Sequence, residues 1–334
     1  RIALVEAPPG IGKSAVAVAY GDALIEDEAR SEPQEGRNYW PQSVILTATI
    51  SLQEQYERDF NDLMLVKGRG NFDCLANGLS AAEGACTIDK DAECGSDYYT
   101  MRWLAKGSAR VTANYALYLN ELFHSRGFLG SKKPRTLLVC EEAHRLLDQL
   151  TEFEKRNLDA DLASKLGLDV DGWASLAQAS IWAGENLDRI HDSLTMAVTK
   201  GDKSARQWLT LFRQASSMAT VPDTFICLKT GPVVEAAPLW PRQSAEVLFR
   251  SAEHVLLQSA TMYGGHLLAE LLGLNPIESQ VGVPYQYYAA PSPFNPNRWP
   301  VHFRPVVDLN ARSTDEEWGR MSGVVHEYVH NFHQ

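Results

Sequence analysis

The run Ile2-Ala3-Leu4-Val5-Glu6-Ala7-Pro8-Pro9-Gly10-Ile11-Gly12-Lys13-Ser14, followed by the alanine-rich Ala15 to Tyr20, decides the reading of this chain. Its apolar start predicts a short buried strand, its glycines a tight loop, and its alanines a helix. Strand, glycine loop and helix in that order is the context of a phosphate-binding loop. Gly10 and Gly12 allow backbone N–H groups to turn inward around a phosphate, Lys13 neutralises β and γ phosphates, and Ser14 offers a hydroxyl to Mg²⁺. Pro9, Gly10, Ile11, Gly12, Lys13 and Ser14 are therefore the expected nucleotide-binding residues. Ala7 stands where the strict pattern has glycine, a departure that touches only the tight turn.

Outward along the chain, a second apolar run, Thr136-Leu137-Leu138-Val139-Cys140, ends in Glu141-Glu142-Ala143-His144. Packing gives no reason for acids at the end of a buried strand. Beside a phosphate loop they have one: a carboxylate holds Mg²⁺ through water while its neighbour orients the water that attacks the γ-phosphate. Glu141 is assigned to the metal and Glu142 to the water, so Lys13, Glu141 and Glu142 form the expected catalytic set.

The 334 residues suffice for roughly two domains of ordinary size, or for one core with large insertions. With 45% apolar and 22% charged residues the composition is globular. A net charge of -11 argues against coating nucleic acid through bulk positive charge, but leaves room for a local basic groove. No apolar run reaches the roughly 18 residues of a membrane span, and no basic-then-apolar leader opens the chain. A soluble, cytoplasmic protein without membrane contact is expected. Lone Cys140 and Cys227, each inside an apolar run, read as buried small hydrophobes.

Further segments in order make the chain resemble the DinG/XPD family of superfamily 2 helicases. Ala7 to Ser14 is similar to motif I, Thr47-Ala48-Thr49-Ile50-Ser51-Leu52-Gln53-Glu54-Gln55 to motif Ia, and Glu141 to His144 to the Asp-Glu-Ala-His motif. Lys67-Gly68-Arg69-Gly70-Asn71-Phe72-Asp73-Cys74 resembles the entry into that family's iron–sulfur domain, Thr112 to Ala116 a later core segment, and Gln258-Ser259-Ala260-Thr261-Met262 motif III. The resemblance implies a RecA-like P-loop NTPase with a parallel sheet, a cysteine-bearing insert and a helical arch insert. It implies ATP and Mg²⁺ as cofactors, single-stranded DNA or a forked duplex as partner, 5′-to-3′ unwinding, and a recruiting protein complex. It places His144 beside the nucleotide, Thr47, Thr49 and Gln53 on the DNA backbone, and Ser259 and Thr261 in the coupling of nucleotide state to DNA grip.

Two departures from the family qualify that picture. Glu141 replaces the usual aspartate, and its extra methylene moves the carboxylate by about a bond length, with weaker hydrolysis as the expected consequence. Gln334 ends the sequence before anything similar to motifs IV to VI, so the arginines of a second RecA-like domain are not on it. A motor half that binds nucleotide but turns it over weakly by itself is expected.

Between Gly68 and Thr112 lie Cys74, Cys86 and Cys94. Three chemistries stay open: a [4Fe–4S] cluster with a non-cysteine fourth ligand, zinc with help from an acid such as Asp97, or a vestigial insert. In the vestigial case the resemblance narrows to the DinG helicase associated with type IV CRISPR systems. The expected organisation is a discontinuous RecA-like domain over 1–66, 111–150 and 222–334, the cysteine insert over 67–110, and the arch over 151–221. Leucines and aromatics at helical spacing fill the arch, where Lys200, Lys203, Arg206 and Arg213 are candidates for facing DNA. The apolar run from Thr224 to Leu228 is expected to return to the core. Other classes are also carried: a nucleotide-binding accessory subunit without motor activity, and a zinc metalloprotease suggested by His326-Glu327-Tyr328-Val329-His330. In the latter stretch Met321, Val324, Val325, Tyr328, Val329 and Phe332 form an apolar stripe at helical spacing, which a packing helix explains equally well.

Overall fold

The computed structural model describes residues 1–31, 42–75, 78, 80–82, 96–123, 134–170, 173, 175–200, 202, 204–229, 231–262, 264–276, 283–293 and 313–332. They belong to two compact units, Arg1–Pro291 and Ser292–Gln334. The first unit begins with β1 (Ile2–Glu6), α1 (Lys13–Ser31), β2 (Ser43–Thr47), α2 (Ile50–Asp59) and β3 (Met64–Val66). It continues through α3 (Asp97–Gly107), β4 (Arg110–Asn114), α4 (Tyr115–Phe123), β5 (Arg135–Glu141) and α5 (Leu146–Glu154). A helical excursion follows: β6 (Arg156–Asp159), α6 (Ala160–Lys165), α7 (Leu176–Lys200), α8 (Ala205–Ala219), β7 (Phe225–Lys229) and β8 (Val233–Pro238). The chain then closes the unit with α9 (Arg242–Phe249), β9 (Ala252–Ser259), α10 (His266–Leu271), β10 (Leu274–Pro276) and β11 (Val283–Ala289).

Among the described residues the central sheet has eight strands in the order β10-β11-β1-β9-β5-β2-β4-β3, all parallel. Parallel strands require crossovers, and these helices cover both faces, which is why central strands read as unbroken apolar runs. All seven residues of β5 are buried. Leu137 and Val139 face one layer with Ala17, Val18 and Tyr56. Leu138 and Cys140 face the other, with Tyr115, Tyr118, Leu119, Leu146 and Leu150. Each such Leu contributes about 1.5–3 kcal/mol through the apolar surface it removes from water. On α1, Gly21 permits a close approach: a Cβ there would lie 2.8 Å from Ser43 Oγ.

Three expectations change. The strand over Phe225–Lys229 does not return to the central sheet: it lies at the edge of a second, antiparallel sheet of order β6-β8-β7. The physical reason is the short Gly231-Pro232 connection, which suits a hairpin and cannot cross over to a parallel neighbour. The region from 222 to 238 accordingly belongs with the helical excursion, whose own core gathers Leu158, Ile190, Leu211, Met218 and Val234. Cys227, on that edge, is exposed rather than buried, whereas Cys140 and Cys74 are buried. Within 67–110, Tyr98, Met101 and Ala105 of α3 pack into the central core. Cys86 and Cys94 lie outside the described residues.

The second unit holds α11 (Asp315–Phe332). A capping box starts it: Thr314 N–H donates to Glu317 Oε2 at 2.7 Å, and Glu317 N–H to Thr314 Oγ1 at 3.4 Å. His326 and Glu327 are exposed on this helix, while the His330 side chain lies outside the described residues. Among the described residues no group of three or more His, Cys, Asp or Glu is placed to hold a metal ion. Among them, too, no helix is long and apolar enough to cross a membrane.

Candidate nucleotide-binding site

The register of the parallel sheet aligns the strand ends that carry the polar residues. Glu6 of β1 pairs with Ser259 of β9, and Gln258 of β9 with Glu141 of β5. In such sheets the crevice outside the carboxyl ends of the strands is where ligands bind. The loop from Ala7 to Gly12 leaves β1 at this edge, with Gly10 and Gly12 in the left-handed region at φ +78° and +89°. Those angles favour glycine. The Lys13 ammonium lies across the loop, donating to the carbonyls of Ala7 at 2.8 Å and Pro8 at 3.2 Å.

Glu141 is buried at the end of β5, 4% exposed. Its Oε1 accepts from Ser14 Oγ at 3.2 Å, from Gln258 Nε2 at 2.7 Å and from the Tyr56 hydroxyl of α2. Its backbone carbonyl accepts from the Tyr115 hydroxyl at 2.8 Å. Burial and the neighbouring carboxylate push both tyrosine hydroxyls well above their ordinary pKa, so both remain donors. A cavity of about 360 Å³ opens on Gly10, Gly12, Lys13, Ser14, Tyr56, Glu141 and Glu142. The loop amides, ammonium, hydroxyl and carboxylate thus converge on one cavity.

Glu142 has φ 51° and ψ 47°. Among the described residues it is the single non-glycine with positive φ. That backbone costs about 1–2 kcal/mol for an L-residue. Glu142 Oε2 accepts from Ser259 Oγ at 3.3 Å and lies 3.2 Å from His144 Nδ1, which is itself 2.8 Å from Ser259 Oγ. Ser259 has one proton and gives it to Glu142. The other contacts are then favourable only if His144 Nδ1 carries a proton and donates. The N–H of Thr261 also donates to Ser259 Oγ, at 3.3 Å. Thr261 itself is exposed.

The motif Ia residues are placed differently from one another. Thr49 is exposed and caps α2, accepting from Leu52 N–H at 3.3 Å. Thr47 and Gln53 are fully buried. Thr47 donates to the Thr49 carbonyl at 3.1 Å and Gln53 Nε2 to the Val66 carbonyl at 3.3 Å. Neither side chain meets solvent, and only Thr49 of the three is exposed. Gln53 and Tyr56, three residues apart, share the buried face of α2. That spacing was the available signal for Tyr56, which sequence reasoning did not single out; Gln258 was read within the segment Gln258 to Met262, but not as a partner of Glu141.

A second cavity, about 1110 Å³, lies where α3, α4, β6 and α8 approach one another. Arg69, Arg102, Arg156 and Arg213 line it together with Asn114 and Phe212. Arg69 also sits over the rings of Tyr98 and Tyr99, at 5.2 and 5.8 Å from their centroids. Of the arch cations raised from sequence, Arg213 alone lines this cavity; Lys203 lies outside the described residues.

No family model and no curated protein matches this chain. Solved structures do. One described as an XPD helicase superposes with a TM-score of 0.56 at 14% identity over 86% of this chain and 58% of its own. A truncated XPD gives 0.49 at 13% identity over 86% and 95%, and an Xpd4 from S. tokodaii gives 0.38 at 13% over 87% and 57%. The chain therefore spans little more than half of the first of these proteins, and the likeness is one of fold.

Proposed function

We propose that this chain is the nucleotide-binding motor half of a DinG/XPD-type DNA helicase, driven by ATP and moving 5′ to 3′ on single-stranded DNA. One observation carries the reading: Ser14 Oγ and Glu141 Oε1 lie 3.2 Å apart, next to Lys13 and the glycine loop. A hydroxyl and a carboxylate at that spacing, beside amides that take phosphate, are the donor set of a magnesium–triphosphate complex. Bound there, Mg²⁺ neutralises charge on the β and γ phosphates. The loop N–H groups hold the phosphates, and Lys13 exchanges two carbonyl acceptors for phosphate oxygens. Glu142 orients the attacking water, with its carboxylate fixed by Ser259 and His144.

Coupling follows from the same contacts. Ser259 ends β9 and Thr261 follows it, and together they join the carboxylate of Glu142 to the loop after the strand, so a change at the γ-phosphate reaches that loop. Thr49 and the first-turn amides of α2 meet the DNA backbone, while Thr47 and Gln53 hold that segment from inside; such contacts carry no base information. The arginine-lined cavity is the passage for the strand, its cations meeting phosphates and its aromatic groups the bases. In this reading residues 1–66, 111–150 and most of the stretch after 238 form the RecA-like domain. The arch runs from 151 to 238, and 67–110 form the cysteine insert.

Cys74 is the one member of its trio among the described residues, and no step of this reading runs through a cluster. The colour and iron content of anaerobically purified protein sort the branches: brown and iron-containing for the repair type, colourless for the CRISPR-associated type. A second reading, an accessory subunit that binds nucleotide without turnover, is favoured by the depth of Glu141, whose Oε1 is already taken by three donors.

The deciding experiment uses the full-length protein. DNA-stimulated ATP turnover should fall at least about 100-fold in Lys13→Ala, by loss of transition-state charge stabilisation. Duplexes with a 5′ overhang should be unwound and those with a 3′ overhang left intact. Turnover that survives the substitution, or the opposite overhang preference, overturns the reading.

A further inference from the structure

The proposed metal-facing acid is glutamate, and its surroundings are built to that length. Tyr56 is 1% exposed, anchored beside Phe60 with ring centroids 5.6 Å apart. From this position on α2 its hydroxyl reaches Glu141 Oε1, which also accepts from Gln258. Both donors come from rigid elements, a helix and a parallel strand. Together they hold one carboxylate oxygen from the protein side, while Glu141 also lines the cavity. Ser14, the third donor to Oε1, is the group that must swing to a cation when one binds, so Tyr56 and Gln258 alone keep the carboxylate in place at that moment.

We propose that Tyr56 is the positioning residue that adapts this site to glutamate: it pins one oxygen of Glu141, and thereby ties the helix that Thr49 caps to the metal-facing carboxylate. The proposal rests on the Mg²⁺–ATP reading above. An aspartate at 141, shorter by one methylene, would withdraw from the Tyr56 hydroxyl, so the tyrosine matters only with glutamate present. Through α2, a strand that engages Thr49 would also stiffen the carboxylate, making the contact a route for DNA stimulation.

The test is a double-mutant cycle in the full-length protein, reading the Mg²⁺ concentration that half-saturates binding of a fluorescent, non-hydrolysable ATP analogue. Tyr56→Phe keeps the ring and removes one charge-assisted hydrogen bond, which should raise that concentration about tenfold. Analogue affinity without Mg²⁺ should not move, a result that separates positioning from a packing defect. In a Glu141→Asp background the same substitution should shift the Mg²⁺ requirement by less than about twofold. DNA stimulation of turnover should fall in Tyr56→Phe and not in the Asp background.

An equal loss in both backgrounds, or no loss with glutamate present, overturns the proposal while leaving the nucleotide site standing. If the aspartate variant does not fold, Tyr56→Phe decides alone, by its Mg²⁺ requirement set against unchanged Mg²⁺-free affinity. Wild-type protein whose analogue binding ignores Mg²⁺ overturns both this proposal and the reading beneath it.

Discussion

Ser14 Oγ lies 3.2 Å from Glu141 Oε1, although the first stands in the opening turn of α1 and the second at the end of β5. Two strand ends two places apart in the sheet, β1 and β5 with β9 between, bring them together. The contact joins the glycine loop to the acidic pair across one cavity.

Removing the serine hydroxyl takes away one partner of any cation held there without touching the loop amides or Lys13. Ser14→Ala should therefore bind nucleotide without metal as wild type does, but gain about tenfold less affinity from Mg²⁺, the equivalent of one lost charged hydrogen bond. Isothermal calorimetry with and without Mg²⁺ checks this. An unchanged metal effect would place the cation elsewhere.

Glu142 combines a strained backbone with a side chain proposed to orient water. Glu142→Gln should retain ATP binding and fold while turnover drops by about 10²–10⁴, the usual contribution of a positioned base. Glu142→Gly should lose turnover equally, yet melt higher: releasing about 1 kcal/mol of left-handed strain raises Tm by about 1–2 °C in a chain of this size. The two variants separate chemistry from conformation. A glycine variant that melts below the glutamine variant would show that the side chain's contacts outweigh the backbone strain.

Ser259 gives its proton to Glu142 and accepts from His144 and Thr261. It is fully buried, but His144 and Thr261 are exposed and can turn to water, so Ser259→Ala should cost about 0.5–1.5 kcal/mol. Because the hydroxyl links Glu142 to the loop after β9, the expected phenotype is uncoupling: most DNA-stimulated turnover kept, strand displacement reduced severalfold per ATP consumed. Parallel measurement of phosphate release and unwinding gives that ratio. A proportional loss of both would mean Ser259 serves hydrolysis alone.

What was legible in the sequence was local. Ile2 to Ser14 and Thr136 to His144 each state their own structure, because a buried strand that ends on polar residues has few other uses. Pairing over distance was not legible. Phe225 to Lys229 looks like a core strand, and only its hairpin with β8 removes it to the second sheet and exposes Cys227. Gln53 looked available to DNA, yet helical spacing puts it on the same buried face as Tyr56. The partners of Glu141 illustrate both limits. Gln258 meets it through strand register and Tyr56 through the packing of α2 on the sheet, relationships that no run of adjacent residues encodes.

The arginine-lined cavity makes a prediction that needs no catalysis. Arg156 comes from β6 and Arg213 from α8, so both belong to the helical excursion, and neither lines the cavity at the glycine loop. If each meets one phosphate of a single strand, then Arg156→Ala and Arg213→Ala should each flatten the plot of log affinity for oligo-dT against log salt by about 0.7, and the double variant by about 1.4. Nucleotide binding and Tm should stay at wild-type values, because these side chains support neither the sheet nor the phosphate loop. Fluorescence anisotropy across a salt series measures the slope. Weaker binding with an unchanged slope would assign these arginines to shaping the cavity, and an unaffected affinity would move the strand's path away from it.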